Sequence, residues 1–366
     1  MCRTGEGGSV PGWRETFLQG IAIASSDLNA ETTVVYSASV RIKDSSDGWV
    51  TIDAVTSLTT GNSEEGNATA SLVIAGVETW GTRSDAHTDL LSPSDRTLQI
   101  SITATVGGDS ASFVVFVGSV QTYSENVASG SDSINIVCKS LMQRISETGR
   151  KDVVAEDKTK FRELLEQAES FDIPGPILAF EEDQEQETSF SFYKFPQLPK
   201  IFYTWNSAVI GFGAGVIIGK KKDISQSVST TLSDDNIATA SRSVSEASFN
   251  TVRCMAHGGG AYLRSEVTDA ADVSKRGKIH APKLLYSYES TIAEVETEAA
   301  LAISDQLLGK ITAQIRLNPF LMPGSKITFS SDRMGVVGSG YIISTAHTLG
   351  AGNANTTVVM RVELAT

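Results

Sequence analysis

The closing stretch of the chain decides the fold, and it opens with T-I-A-E-V-E-T-E-A-A-L-A-I-S-D-Q-L-L-G-K (Thr291–Lys310). Apolar residues four positions apart predict an amphipathic helix here, and Thr291 with Glu294 has the spacing of a capping box. Gly309 stands where such a helix usually stops. Four runs that alternate like strands follow, at Ile311–Leu317, Lys326–Ser330, Gly340–Leu349 and Thr356–Leu364. A helix followed by antiparallel strands, without a catalytic pattern, predicts a scaffold unit.

The totals of the 366-residue chain limit the classes of function. A single core stops growing near ~250–300 residues, so two or three domains are expected. The net charge is −13, with 43 acidic against 30 basic residues. Tight binding to duplex DNA needs clustered Lys and Arg, and no such cluster dominates here. An acidic protein would repel DNA, which suits a conduit better than a clamp.

The cysteines and the start of the sequence bear on the compartment. Cys2, Cys138 and Cys254 are too few and too scattered for a disulfide framework. The opening M-C-R-T-G-E-G-G-S-V-P-G lacks the apolar core of a signal peptide, and no apolar stretch approaches the ~20 residues of a membrane span. We therefore expect synthesis and folding in a cytoplasm.

Short strands recur at regular spacing in the first part of the chain. Strand-like runs lie at Ala70–Ala75, Leu98–Val106, Ala111–Val120 and Ser133–Lys139, and G-G-D-S has the composition of a hairpin turn. Many short strands separated by turn residues predict a barrel or a sandwich.

The middle of the chain has a different character. Glu156–Ser170 has helical composition, and the acidic run Glu181–Glu187 is typical of a solvated loop. Ser225–Ser248 is rich in Ser, Thr, Asp and Ala, which predicts weak order, and Asp269–Ile279 is a sparse polar stretch. The composition therefore changes in this part of the chain.

The glycine-containing segment Ala208–Lys222 is apolar. Its glycines do not match the spacing of a dinucleotide fingerprint or a phosphate loop. A buried strand pair and an apolar loop that docks on another subunit remain as interpretations. The candidates for an assembly interface are Val209, Ile210, Phe212, Val216 and Ile217, together with Val295, Ala299 and Ile303 on the helix stripe.

No catalytic or metal-binding pattern stands out. His87, His257, His280 and His347 are isolated in sequence, without a second ligand at zinc spacing. His347 shares a strand face with Thr345 but has no carboxylate nearby, so we interpret it as a satisfied polar histidine. We expect no enzyme activity, no cofactor, no metal and no small-molecule substrate.

An ordered series of weak motifs resembles the baseplate hub, or tail-tip hub, of tailed bacteriophages, a family related to the base of contractile injection spikes. The series runs from D-G-W-V-T-I-D-A-V-T-S-L through V-V-F-V-G-S-V and S-I-N-I-V-C-K-S-L-M-Q-R-I to I-R-L-N-P-F-L-M-P-G-S-K-I-T-F and G-Y-I-I-S-T-A-H-T-L. The order of the motifs carries the resemblance, which covers about two-thirds of the chain, whereas Glu156–Ser245 departs from the pattern.

The resemblance implies a mainly β fold with short helices, made of two tube-like antiparallel β-barrels and a peripheral α/β insertion. The implied division is a flexible arm at 1–12, a first barrel at 13–132, a second barrel at 133–150 and 248–366, and the insertion at 151–247. The helix at 291–308 is expected to lie against the outside of a barrel and brace the subunit junction. The closing strands are expected to complete a barrel begun near Ser133.

The resemblance also implies a function and partners. A homotrimer with two barrels per chain forms a pseudo-sixfold ring, which joins a hexameric tail tube to a trimeric central spike. Its partners are the tail tube protein, the central spike protein and other baseplate proteins, and DNA only passes through the lumen. Its location is the virion tail.

Two other functions remain open from the sequence. A β-rich receptor- or carbohydrate-binding tail protein would use exposed aromatic residues such as Trp49, Trp80, Tyr193 and Trp205. A hydrolase acting on cell-wall polymer is the weaker alternative, because no pair of carboxylates stands out in a supporting context.

Overall fold

The computed structural model describes residues 33–140, 230–287 and 291–364, apart from 47, 64–67, 81–89, 94–95, 129–131, 244–247, 259–260, 283–284, 308, 320, 322, 324–325 and 351. Between 141 and 229 it describes the backbone of five strands. The arm at 1–12, Phe212, the acidic run and the aromatic run Ile201–Trp205 lie outside the described residues.

The described residues contain three helices and twenty-one strands. The first seven strands are β1 (Val34–Lys43), β2 (Trp49–Ile52), β3 (Val55–Ser63), β4 (Thr69–Ala75), β5 (Leu98–Val106), β6 (Asp109–Asn126) and β7 (Ser133–Ser140). The middle five are β8 (Val153–Lys158), β9 (Ile177–Ala179), β10 (Thr188–Phe192), β11 (Ser207–Ile210) and β12 (Gly213–Ile218).

The last nine strands are β13 (Thr230–Ser233), β14 (Ile237–Ser243), β15 (Thr251–Gly258), β16 (Ala261–Thr268), β17 (Leu285–Ser287), β18 (Gly309–Arg316), β19 (Lys326–Ser331), β20 (Val336–Gly350) and β21 (Asn353–Leu364). The helices are α1 (Val77–Trp80), α2 (Ala270–Arg276) and α3 (Ile292–Leu307). None of these helices is long and apolar enough to cross a membrane.

One sheet of thirteen strands, here called the large sheet, organises the molecule. Its main path is β14-β18-β21-β20-β3-β4-β7-β6-β5-β1-β2, and β19 pairs with both β13 and β20. The two halves of the chain meet where β20 pairs with β3, in a register that sets His347 opposite Thr60 and Leu349 opposite Leu58. The closing strands therefore join the first half through β3, and the expected junction near Ser133 was wrong.

The large sheet covers two separate hydrophobic cores. The first core gathers fully buried side chains from β1 to β7, including Leu98, Phe113 and Phe116. The second core is formed by the strands from β13 to β21 that belong to this sheet, and it contains Ile311 and Phe329. Burial of each such side chain is worth about 1.5–3 kcal/mol, so each half of the sheet has its own source of stability.

The hairpin between β5 and β6 follows directly from its sequence. Gly107 and Gly108 have φ of 60° and 100°, a backbone that side chains with a Cβ rarely adopt. Two consecutive positive φ values are typical of a two-residue hairpin turn. The register sets Val106 opposite Asp109, which confirms the turn predicted at G-G-D-S.

A smaller body, here called the small unit (residues 248–307), combines the three-stranded sheet β16-β15-β17 with α2 and α3. The α3 stripe Val295, Ala299 and Ile303 packs with Val252 and Cys254 of β15 in a third core. The helix thus lies on the small sheet of its own chain, whereas the sequence had placed it on a barrel.

Hydrogen bonds close the small unit. Gln306 accepts from the Ser248 backbone N–H at 2.9 Å and donates to the Phe249 carbonyl at 3.2 Å. The Asn250 amide donates to Asp272 and to the Gly277 carbonyl, both at 2.9 Å, and accepts from the Ile279 N–H at 2.8 Å. The end of α3 and the C-cap of α2 are therefore both tied to the start of β15.

Several sequence predictions need correction. Ser225–Ser248 was wrongly predicted to be weakly ordered, because it contains β13 and β14 of the large sheet. Asp269–Ile279 contains α2, whose N-cap Asp269 accepts from two backbone N–H groups. Glu156–Lys158 belongs to β8 rather than to a helix.

The fold class is confirmed at the coarser level, as mainly β with short helices. The described strands of the large sheet form one path that ends at β14 and at β2, and no closed barrel is present among them. The domain boundaries stay a prediction.

Candidate assembly surfaces

Buried polar groups on β20 and β21 lie beside the junction between the halves of the large sheet. His347 Nδ1 lies 2.9 Å from the Thr356 hydroxyl, and the Asn318 N–H donates to the same hydroxyl oxygen at 2.8 Å. Both contacts are satisfied when the Thr356 hydroxyl donates its hydrogen to an unprotonated Nδ1. Burial lowers the pKa of His347 to about 4, so the ring is neutral near pH 7. This arrangement confirms the interpretation of His347 as a satisfied polar histidine.

An open cleft of about 390 Å³ lies beside this junction. It is lined by β1, by the start of β3 and by the turn between β20 and β21. Tyr36 is its only titratable lining residue; its hydroxyl donates to the Leu317 carbonyl at 2.5 Å, and burial raises its pKa to about 12. The described residues that line this cleft include no carboxylate, amine or thiol.

The sequence-predicted interface residues fall into two places. Val295, Ala299 and Ile303 are buried inside the small unit, at 1%, 0% and 6% exposure. Val209 and Ile210 lie on β11, and Val216 and Ile217 on β12; these strands form an antiparallel pair, as one interpretation predicted. The pair runs beside β6, and β12 also pairs with β9. The structure brings the two sets into different parts of the fold, and their assembly role stays a prediction.

Chemically reactive groups are scattered over the described part of the chain. No group of three or more metal-ligating side chains occurs among the described residues. Cys138 and Cys254 are buried and are not joined in a disulfide, and burial raises the pKa of Cys138 to about 12. A thiol held protonated in this way is a poor nucleophile and a poor metal ligand.

The aromatic residues give the carbohydrate-binding alternative little support. Trp80 is 4% exposed and belongs to the first core. The Trp49 ring is contacted by two cations, with Arg41 at 4.6 Å and Lys43 at 5.7 Å from its centroid. Sugar binding needs an open aromatic face. Trp80 has none because it is buried, and the Trp49 ring is already contacted by Arg41 and Lys43. Tyr193 and Trp205 lie outside the described residues.

One exposed surface was missed by the sequence analysis. The face of β15 and β16 opposite α3 carries Arg253, Met255, Tyr262, Arg264 and Glu266, as the antiparallel register shows. The signal was available in T-V-R-C-M-A, where Val252, Cys254 and Ala256 alternate with Arg253 and Met255. A strand with this period has one face in a core and the other face open to a partner.

Comparison with solved structures shows that the fold is similar to that of tail proteins, including one from a prophage. A tail protein from Neisseria meningitidis MC58 matches with a TM-score of 0.64 and 14% identity, over 90% of this chain and 96% of that chain. The 43 kDa tail protein of prophage MuSo2 from Shewanella oneidensis matches with a TM-score of 0.60 and 13% identity, over 89% and 98%.

A component of the type VI secretion system, the E. coli c3393 protein, shares the fold more distantly. Its TM-score is 0.50 at 9% identity, over 89% of this chain and 77% of that chain, and it is described as similar to the T4 tail proteins gp27 and gp5. No family model and no curated protein sequence matches the chain. The fold therefore agrees with the family resemblance noted in the sequence. The sequence identities are low, so these comparisons establish similarity of fold alone.

Proposed function

We propose that the chain is a structural protein of a phage-type tail, located in the virion tail, and that it acts as the hub of the baseplate or tail tip. The observation that carries this proposal is the likeness to tail proteins over about nine-tenths of the chain and nearly their whole length. Agreement over whole chains, rather than over one module, favours a shared architectural role.

The division of the large sheet gives the hub proposal a physical basis. Each chain supplies two β halves, each with its own core, joined through β3 and β20. Three such chains in a closed ring present six similar surfaces to a sixfold partner and three to a threefold partner. Such a ring joins a hexameric tail tube to a trimeric central spike, with the two halves forming tube-like barrels in the assembly.

The negative net charge of the chain is consistent with a channel through which DNA passes. A net charge of −13 favours a lumen that repels DNA, so that DNA passes through without being held. The proposed role is architectural rather than enzymatic, without a cofactor or a small-molecule substrate. Its partners are further copies of the chain, the tail tube protein, the central spike protein and other baseplate proteins.

The mass of the purified protein tests this proposal. Light scattering at micromolar concentration is expected to give three times the mass of one chain, and negative-stain images are expected to show rings. Addition of the tail tube protein from the same particle is expected to cap the tubes at one end. A monomer that shows no rings and does not bind the tube would contradict the hub.

A further inference from the structure

The small unit has two unlike faces. Val252, Cys254 and Ala256 of β15 point at α3 and are 1–3% exposed. The alternating residues Arg253 and Met255 point the other way, opposite Glu266 and Arg264 of β16. We call this second side the outer face; it comprises Arg253, Met255, Tyr262, Arg264 and Glu266, together with the Lys278 and His280 side chains that reach Glu266.

The outer face is positively charged on an acidic protein. Arg253, Arg264 and Lys278 are exposed cations, and Glu266 is the only carboxylate among its residues. Glu266 bonds to Lys278 and lies 3.9 Å from His280. The Lys278 hydrogen bond lowers the pKa of Glu266, with further contributions from the charges of Lys278, His280 and Arg253. Arg253 stands opposite Glu266 in the register, and Arg264 stands opposite Met255. Both arginine side chains are exposed, so a partner can reach their guanidinium groups.

The residue types on this face are those of protein interfaces. Tyr262 is 59% exposed, Met255 is half-buried, and two arginines flank them. Tyr, Met and Arg are enriched in protein interfaces, and Tyr and Arg are also frequent among the residues that contribute most binding energy. Arginine can hold a carboxylate with two parallel hydrogen bonds, while the aromatic ring supplies apolar area.

A nucleic acid fits this face less well. Phosphate recognition gains affinity with each cation that replaces a counterion, and three cations around a fixed carboxylate supply few such contacts. Glu266 would also repel a phosphate, whereas a protein segment can set an apolar or donor group against it.

We infer that the outer face is a docking surface for a protein partner that presents carboxylates beside an apolar side chain. The two arginines bind the carboxylates, and Tyr262 with Met255 receives the apolar group. The side chains are already arrayed on a paired β-sheet, so docking requires little reordering of the backbone. This inference goes beyond the hub proposal and does not depend on a ring, since the face belongs to a single chain.

The test uses the full-length chain and a labelled 15-residue peptide of glutamates interspersed with phenylalanines. Fluorescence anisotropy is measured at low and at moderate salt, with a matched glutamine peptide and a single-stranded oligonucleotide of equal length as competitors. The acidic peptide is expected to bind, and the double change Arg253→Glu/Arg264→Glu is expected to weaken binding by about tenfold or more. Both arginines are exposed, so the fold is expected to survive; Arg253→Gln/Arg264→Gln, checked by circular dichroism, provides a milder second variant.

A matched control separates the outer face from general charge. Arg242→Glu/Lys310→Glu makes the same change in net charge at two exposed positions of the large sheet, and it is expected to leave binding within about twofold. Equal loss in both double variants would overturn the proposal, and so would an acidic peptide that fails to bind at all. Equal binding of the glutamine peptide, or tighter binding of the oligonucleotide, would also overturn it. The ring is measured separately by mass, so failure here is distinct from failure of the hub proposal.

Discussion

The large sheet and the small unit differ in the sequence separation of the strands that pair in them. The large sheet pairs β3 with β20, so strands almost three hundred positions apart share hydrogen bonds. The small unit pairs neighbours, because β15 and β16 form a hairpin and α3 follows soon after. Pairing across a long separation costs more loop-closure entropy than pairing of neighbours. We therefore expect the large sheet to unfold as one cooperative unit, and the small unit to unfold locally while the large sheet stays folded.

Truncation at Ser290 is expected to have the largest effect. The fragment lacks β18 to β21, so β3 loses its partner β20 and the second core loses most of its side chains. Exposed strand edges and apolar surface should leave the fragment insoluble or without cooperative unfolding, as followed by circular dichroism. A soluble Met1–Ser290 fragment with a native-like β signal would show that the first half does not need the closing strands.

The sequence predicted the strands of the large sheet better than their order. The alternation in Leu98–Val106 matches β5; three of the last four runs lie within observed strands, and the run Ile311–Leu317 extends one residue beyond β18. The pairing of β3 with β20 has no local signature, because it joins residues that are far apart in sequence. Local signals therefore predict elements, while the packing of distant residues decides which strands become neighbours.

Two missed elements show where local signals fail. Five of the seven residues of β14 are exposed, so its sequence has the composition of a loop, and only Ile237 is buried. Helix α2 has no buried residue, so it has no apolar stripe to detect. The cap residues Asp269 and Gly277 were the available signal for α2. The outer face was missed because an open face is recognised only after its opposite face is known to be packed.

The substitution Gly340→Ala is expected to be the most damaging single change in the large sheet. A Cβ at this position would overlap the carbonyl oxygen of Arg361 on β21, which is backbone and cannot rotate away. The strands β20 and β21 must separate there, at a cost of about 4 kcal/mol or more. Chemical denaturation measures the loss. The control Ser339→Ala, one position earlier, is expected to stay within about 0.5 kcal/mol of the parent, and an equal loss in both variants would contradict the steric reason.

Acid is expected to weaken the large sheet through His347. Its pKa falls from an ordinary value of 6.5 to about 4 in the fold, so the unfolded chain takes up a proton first as the pH drops. Stability is complete above pH 6.5 and declines down to about pH 4, by about 3 kcal/mol from this group. The variant His347→Asn should lack this part of the pH dependence in denaturation curves. If the free energy of unfolding of the variant still falls as steeply between pH 6.5 and 4, the buried His347 ring does not cause this pH dependence.

The smallest expected effect falls on the small unit alone. Val295→Ala removes two methyl groups from the α3 stripe, which should cost about 2 kcal/mol as the cavity only partly closes. Because this core is separate from the other two, hydrogen exchange should quicken in β15 while β4 and β7 keep their protection. The change Thr297→Ala removes a side chain of similar shape from an exposed position of the same helix, so it serves as the control and should leave β15 unaffected. Equal loss of protection in β15 and β4 would mean that the small unit unfolds only with the large sheet, and the contrast between local and non-local construction would then have no thermodynamic consequence.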